Sequence, residues 1–400
     1  MHRLRLSPRH SLSLVSCIAA LALLVLAGCG SSDNGSSNTS TSTGSSSQTT
    51  GGTADTGGPD AAAATADGKK AGETAADGRV AAAPVKTIAF LNYTSQASAL
   101  RRVSAGMKDA AAALGWNYQT CDAQGQPQKV ADCAATLLQK KVDVMGSTAI
   151  PVALDKPQME QAKSDGVPWL NVGGENPVNS LFTGSFFVPE AELYKPLHDE
   201  LFSRIGDGEA EIGAIQLTVD DTARLRYEAL EDELKAHPDV SVAANVEGTP
   251  ANPGAVTAAT VAMLRQHPRI KAIWSCCDIF TSYIVQGIKQ AGMTGDDKPI
   301  VLAPFPDQSM LQLVRDGDVT VVIELPWEAY GWIAVDEAVQ HFAHDTPFTE
   351  HGRPSQYPDA LYGGQIVTEE NVQSDPDKLQ PPVYDYAAYF KAKWKAEFGG

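Results

Sequence analysis

The sequence predicts an α/β protein of two doubly wound lobes, each built on a parallel sheet. Three observations lead there. From residue 86 onward, short apolar runs alternate with longer stretches of helical periodicity, the pattern of βαβ units. The alternation comes in two consecutive series, which places a cleft between two lobes. The segment 85–400 is also long enough for two domains at the usual size of about 100–200 residues each.

In the first series, residues 86–92 (Lys-Thr-Ile-Ala-Phe-Leu-Asn) read as a buried strand, 99–114 as an amphipathic helix, 117–121 as a second strand and 128–140 as a second helix. A strand at 142–145, a helix at 153–164 and a strand at 168–172 follow. The second series runs strand 210–215, helix 221–237, strand 240–246, helix 253–266, strand 272–275, helix 281–291 and strand 300–302. A last parallel-type strand at 319–325 leads into a helix at 327–342. The tail from Gln373 ends in a helical stretch, 384–398, beyond the two series.

Ahead of this segment, His2, Arg3, Arg5 and Arg9 precede an apolar stretch ending Leu26-Ala27-Gly28-Cys29, the layout of a secretory signal. It is too short, and followed by too polar a segment, to read as a permanent membrane span. Residues 30–84 are Ser, Thr, Gly, Ala and Asp with scarcely a bulky apolar side chain, too little apolar surface to offset the entropy of ordering. A tether of about 55 residues has a root-mean-square reach of roughly 40 Å. The closing Leu-Ala-Gly-Cys resembles the lipobox of bacterial lipoproteins. That resemblance implies cleavage after residue 28, lipidation of Cys29, and a chain tethered outside the cell membrane. The other reading is an ordinary secretory signal with a chance cysteine.

The formal net charge is −17 at pH 7, with basic residues scattered instead of gathered in a stripe. This argues against a nucleic-acid partner and against electrostatic docking on anionic lipid, leaving the lipid anchor as the membrane contact.

Of six cysteines, Cys17 leaves with the signal and Cys29 carries the lipid. The other four belong to an oxidising compartment. Cys121 ends a strand and Cys133 lies on the next helix, so a bridge is expected, contributing about 3 kcal/mol for so short a loop. Cys276 and Cys277 are neighbours, and a trans Cα separation of about 3.8 Å falls below the usual disulfide range of about 4.4–6.8 Å. They read either as a strained vicinal bridge, a rigid platform facing the cleft, or as two buried thiols. No CxxC or paired-His spacing supports a metal or other cofactor. GxSxG, HExxH and Walker A motifs are absent, so an enzyme is not expected.

In a doubly wound fold ligands bind outside the carboxyl ends of the strands. Those ends fall at 92–98, including Gln96 and Ser98, and at Gly173-Gly174-Glu175 in the first lobe. In the second lobe they fall at 216–224, Asn252, Cys276-Cys277-Asp278 and 304–307. Asp278 is either a ligand contact or the N-cap of the following helix.

Several strings then carry a family resemblance: Gly106-Met-Lys-Asp-Ala-Ala-Ala-Ala-Leu-Gly115, Ala162-Lys-Ser-Asp-Gly-Val-Pro168, Thr222-Ala-Arg-Leu-Arg226, His267-Pro-Arg-Ile-Lys-Ala-Ile273 and Val314-Arg-Asp-Gly-Asp-Val-Thr320, followed by Glu324-Leu-Pro326. In this order, across residues 86–372, the chain resembles the ribose-binding-protein-like (type I) periplasmic binding proteins that serve ABC importers. The resemblance implies a hinge of several crossings, near 186–188, near 324–326 and past 342. The lobes would then comprise 85–187 with 324–343, and 188–323 with 344–400. It implies a small-molecule ligand, a sugar by family, passed to an ABC permease. It also implies a ligand-contacting guanidinium at Arg224 and a hydroxyl-accepting carboxylate at Glu324. A salt bridge with surface acids is the other reading of Arg224, and a hinge salt bridge that of Glu324.

The chain departs from the sugar-binding pattern at Ala97-Ser98-Ala99-Leu100, at Gly173-Gly174, at Cys277 where the family has Asn, and at Phe305 where it has Asp. These changes, with Phe187, Tyr227, Phe305 and Trp327, point toward an aromatic or partly apolar ligand as the alternative. A ligand-sensing lipoprotein that signals to a membrane receptor is a further alternative.

Overall fold

The computed structural model describes residues 85–399, so the expectations for the signal, Cys29 and the tether lie outside the described residues. Five strands, β1 (Thr87–Asn92), β2 (Asn117–Asp122), β3 (Val144–Ser147), β4 (Trp169–Val172) and β5 (Gly184–Phe186), form a parallel sheet in the order β2-β1-β3-β4-β5. β1 shows why its sequence is a near-continuous apolar run. Ile88 and Phe90 enter one buried cluster while Ala89 and Leu91 enter another on the opposite face, as a strand covered by helices on both sides requires. Helices α1 (Ser98–Leu114), α2 (Pro127–Gln139) and α3 (Lys156–Ser164) belong to this layer. The disulfide expected between Cys121 and Cys133 ties β2 to α2 across a Cα separation of 5.4 Å.

The second sheet contains β6 (Ala210–Gln216), β7 (Val240–Glu247), β8 (Ile270–Ser275), β9 (Ile300–Pro304), β10 (Val321–Glu324) and β11 (Gln365–Val367). Their order is β7-β6-β8-β9-β10-β11, parallel except for the antiparallel pair β10–β11. Both sheets therefore wind in the same sequence, with β11 added to the second. Around the second sheet lie α4 (Glu190–Ile205), α5 (Asp221–Leu234), α6 (Ala255–Gln266), α7 (Thr281–Ala291) and α8 (Gln308–Arg315). Two doubly wound parallel sheets are the architecture the sequence predicts. The strands it does not announce are β5 and β11, each three residues long and without a period to read.

After β10 the chain passes to the first sheet as α9 (Trp327–His344), which packs along α1. Two glycines set this crossing. A Cβ on Gly106 would lie 2.1 Å from the Glu328 carbonyl oxygen, and one on Gly331 would lie 2.3 Å from the Met107 nitrogen. The helices thus touch backbone to backbone. Residues 349–352 then run along β5, with Ser185 N–H donating to Thr349 O (2.9 Å) and Gly352 N–H donating to Ser185 O (3.0 Å).

Of the segment placed in the second lobe by resemblance, β11 joins the second sheet. The last helix, α10 (Tyr386–Phe398), instead lies against α9. Trp332 stacks on Phe390 and Trp394 at centroid distances of 6.1 and 5.5 Å. The fully buried Asp336 accepts from Trp394 Nε1 (2.6 Å), Lys393 Nζ (2.7 Å) and Tyr357 OH (2.8 Å). Aromatic area plus a satisfied buried carboxylate explains why the tail docks there.

Candidate functional site

The carboxyl ends of both sheets face one another across a small cavity of about 50 Å³. This is well below the usual volume of small-ligand pockets, about 300–1,000 Å³, so the lobes lie nearly closed on each other. From the first sheet it receives Tyr93 and Thr94 after β1, Leu100 at the start of α1, and Thr148 and Ala149 after β3. From the second come Leu217 and Asp220 after β6, Thr222 and Arg226 on α5, Cys277, Asp278 and Ile279 after β8, and Phe305 after β9. Trp327 opens α9 at the hinge side. Phe305 and Ala149 both hold φ of +53°, a conformation non-glycine residues seldom adopt and that concentrates at ligand sites.

Arg226 is the organising charge. It is buried, its Nε donates to Glu190 Oε2 (2.8 Å) and its Nη1 to the Cys276 carbonyl (3.1 Å). Its guanidinium lies 4.9 Å from the Phe305 centroid and 5.3 Å from that of Tyr194. Burial works against its charge, but the carboxylate of Glu190 holds it protonated, well above the ordinary arginine range. Asp220 caps α5 by accepting from Thr222 N–H (2.9 Å), and burial pushes its carboxyl up to about 6. Asp278 is likewise pushed up to about 6 by burial.

Aromatic rings adjoin Arg226. Trp327 meets Phe305 edge-on at 4.8 Å and Tyr330 at 5.3 Å. The indole N–H of Trp327, 1% exposed, is buried with no hydrogen-bond partner among the described residues. A buried donor left unpaired is costly, and here it sits on a cavity wall.

Polar contacts bring the lobes together beside this cavity. Ser98 N–H donates to the Asp278 carboxylate, Arg101 Nη2 pairs with Asp307 Oδ2 at 3.3 Å, and the Thr222 hydroxyl donates to the Glu175 carbonyl at 2.9 Å. Behind it, Arg102 of α1 forks onto Glu324 (2.6 and 3.0 Å) and Glu328 (2.8 Å at each of two nitrogens).

Of the expected ligand residues, Cys277, Asp278 and Phe305 line the cavity. The others do not. Arg224 is half-buried and pairs with Asp221 (3.2 Å) and Glu228 on its own helix. Helix phase decides this: Thr222 and Arg226 are four residues apart and share a face, whereas Arg224, two residues from each, points away. Glu324 is spent on the Arg102 hinge pair. Glu175 accepts from the Glu190 N–H (2.6 Å) at the start of α4. Ser98 uses its backbone N–H on Asp278 and its hydroxyl on the Pro306 carbonyl (3.4 Å). Asn252 sits exposed in a turn, and Pro250 takes the wall instead. Gln96 is exposed on a neighbouring groove with Tyr283 and Asp307.

Asp278 is not the cap of α7, whose N-cap is Phe280. Of the four rings expected to make an apolar lining, Phe305 and Trp327 do so, whereas Phe187 meets His351 edge-on and Tyr227 meets Trp274 at a tilt. Among the residues missed are Arg226, Thr148 and Ala149. The first was legible in the helix phase, the others in the end of the strand at 142–145.

Cys276 and Cys277 are free and buried, their sulfurs 2.7 Å apart. Among the described residues no group of three His, Cys, Asp or Glu side chains is arranged to hold a metal ion, and no helix is long and apolar enough to cross a membrane.

Two doubly wound lobes closing on a cavity at their strand ends define the type I binding-protein architecture. A family profile described as "Periplasmic binding protein domain" matches residues 88–346, and the chain belongs to that family, one of substrate-binding proteins. Solved structures share its fold at low identity. The periplasmic binding component of the arabinose ABC transporter from Shewanella sp. ANA-3, bound to α- and β-L-arabinofuranose, aligns with TM-score 0.60 and 20% identity, covering 78% of this chain and 96% of its own. A periplasmic sugar-binding protein from Pseudomonas fluorescens gives 0.60 and 21%, covering 72% and 88%. The periplasmic ribose ABC transporter structure from Conexibacter woesei gives 0.60 and 16%, covering 73% and 94%. A search of curated proteins finds no match.

Proposed function

We propose that this chain is a lipid-anchored extracytoplasmic solute-binding protein that captures a sugar or sugar-like molecule in the interlobe cavity and delivers it to an ABC permease. The observation that carries the reading is the cavity's combination of a charge-balanced, immobile Arg226 with an unpartnered Trp327 indole N–H on an aromatic wall. The fixed Asp220 and Asp278 carboxyls suit the donors of a polyhydroxyl ligand, and the Trp327 N–H suits an acceptor oxygen. The arabinofuranose and ribose proteins named above support the same ligand class. Closing the lobes would exclude water from these contacts and present surfaces of both lobes to the permease.

A partly apolar ligand is the second reading, favoured by Leu100, Leu217, Ile279, Phe305 and Trp327 on the wall. Thermal shifts of residues 85–400 against sugars, polyols, aromatic acids and nucleosides test both. A ligand at 100 times its dissociation constant adds about 2.7 kcal/mol of stability. A sugar hit supports the first reading, an aromatic hit the second, and no hit across the panel argues against both.

A further inference from the structure

Cys276 and Cys277 follow the end of β8, at the floor of the cavity. Along an extended strand, consecutive side chains point to opposite faces. Here the two sulfurs converge instead to 2.7 Å, within an ångström of the disulfide bond length of about 2.05 Å. The peptide that joins them is held from several sides. Its Cys276 carbonyl accepts from Tyr194 OH (2.7 Å) and Arg226 Nη1 (3.1 Å), and its Cys277 N–H donates to the Ser275 hydroxyl (3.4 Å). Cys277 lines the cavity, whereas Cys276 is fully buried behind it. The same chain already closes Cys121–Cys133, as proteins of an oxidising compartment do.

We propose that Cys276 and Cys277 are a redox pair in the cavity floor, interconverting between two thiols and a vicinal disulfide by exchange with a small disulfide oxidant that reaches Cys277 when the lobes part. The Cys277 thiolate attacks one sulfur of the oxidant. The oxidant's S–S bond breaks, a mixed disulfide forms, and the other oxidant sulfur leaves as a thiolate that takes up a proton. Cys276 then attacks the Cys277 sulfur, forming the vicinal bond and releasing the second half of the oxidant as a thiol. Two electrons and two protons pass from the cysteines to the oxidant, which ends as two thiols. Adjacent Cα atoms are too close for a relaxed bridge, so the vicinal bond reduces more readily than Cys121–Cys133. Oxidation removes the Cys277 S–H donor from the wall and draws the floor inward. A change in ligand affinity would follow, a consequence that rests on the cavity being the ligand site.

The test uses the full chain exported by a bacterial host, treated with oxidised glutathione, quenched in acid and unfolded in N-ethylmaleimide without reductant. The peptide carrying Cys276 and Cys277 is expected to be unlabelled and two hydrogen atoms lighter than the dithiol. Mild dithiothreitol should then give it two maleimides while Cys121–Cys133 stays closed. Two maleimides on Cys276 and Cys277 directly after oxidised glutathione would overturn the proposal. In Cys276→Ser the exchange has no resolving thiol, so one glutathione should accumulate on Cys277; a bare Cys277 in that variant would overturn the route through the cleft. These readouts need no ligand. If no compound of the panel binds either redox form, the ligand-site reading fails while the labelling still decides the chemistry.

Discussion

Arg226 and Arg224 differ by two positions and have opposite fates, which makes them the sharpest test at the scale of single residues. Arg224→Ala removes an exposed pairing, so stability should change by no more than about 0.5 kcal/mol and ligand affinity should hold. Arg226→Ala leaves Glu190 buried without a partner, a loss of about 3–5 kcal/mol visible in urea unfolding. Trp327→Phe keeps the ring and deletes the N–H, so a ligand that accepts from it should bind less tightly by about 1 kcal/mol, or about fivefold by titration. Asp278 supplies a pH dependence. Its folded carboxyl titrates at about 6, raised by burial above the unfolded value. The native state therefore holds this proton where the unfolded chain has lost it. The contribution is fully present below about pH 4 and is lost as pH rises through 6. The urea midpoint of the parent should therefore fall more steeply from pH 4.5 to 7.5 than that of Asp278→Asn. Little of this residue scale was legible beforehand. Strand ends located Cys277, Asp278 and Phe305, but a string match on Ala223-Arg224 could not say which arginine faced inward, and no sequence feature marked Glu324 as the partner of Arg102, 222 positions away.

Elements were easier to read than side chains because their signals are periodic. The apolar run of β1, the amphipathic turns of α1 and the strand-to-helix spacing of Cys121 and Cys133 all carry their structure locally. β5 and β11 do not, since each owes its strand geometry to a neighbour already in place: β4 pairs with one and β10 with the other. The crossing of α1 and α9 also depends on distant partners. Gly106 and Gly331 look like ordinary helix-weakening glycines until the two helices meet. Gly331→Ala should cost about 1–3 kcal/mol through overpacking, read as a lowered Tm, although alanine is the better helix former. No change or a rise in Tm would mean the helices separate without penalty.

At the scale of the whole molecule, the two lobes meet through polar contacts beside a cavity. Asp307→Ala removes the partner of Arg101 at the rim without touching the cavity wall. Small-angle scattering of the ligand-free variant should show a larger radius of gyration than the parent, and an unchanged profile would mean the rim pair does not hold the lobes together. The two-lobed architecture itself was legible from the double series of strands and helices. Where the final helix would settle was not, because its aromatic face needed Trp332 and Asp336 of α9 as a counterpart.

The return of the chain terminus to the first sheet bears on the order in which the molecule can be made. Residues 327–344, 349–352 and 386–398 complete the flank of a sheet whose first strand begins at Thr87. The first lobe therefore lacks part of its own core until residue 398 has been synthesised. For a chain threaded through a membrane from its amino end, the segments that enter first stay without their packing partners until the tail follows. The same connectivity thus delays tight folding of the first lobe until residues 386–398 are available.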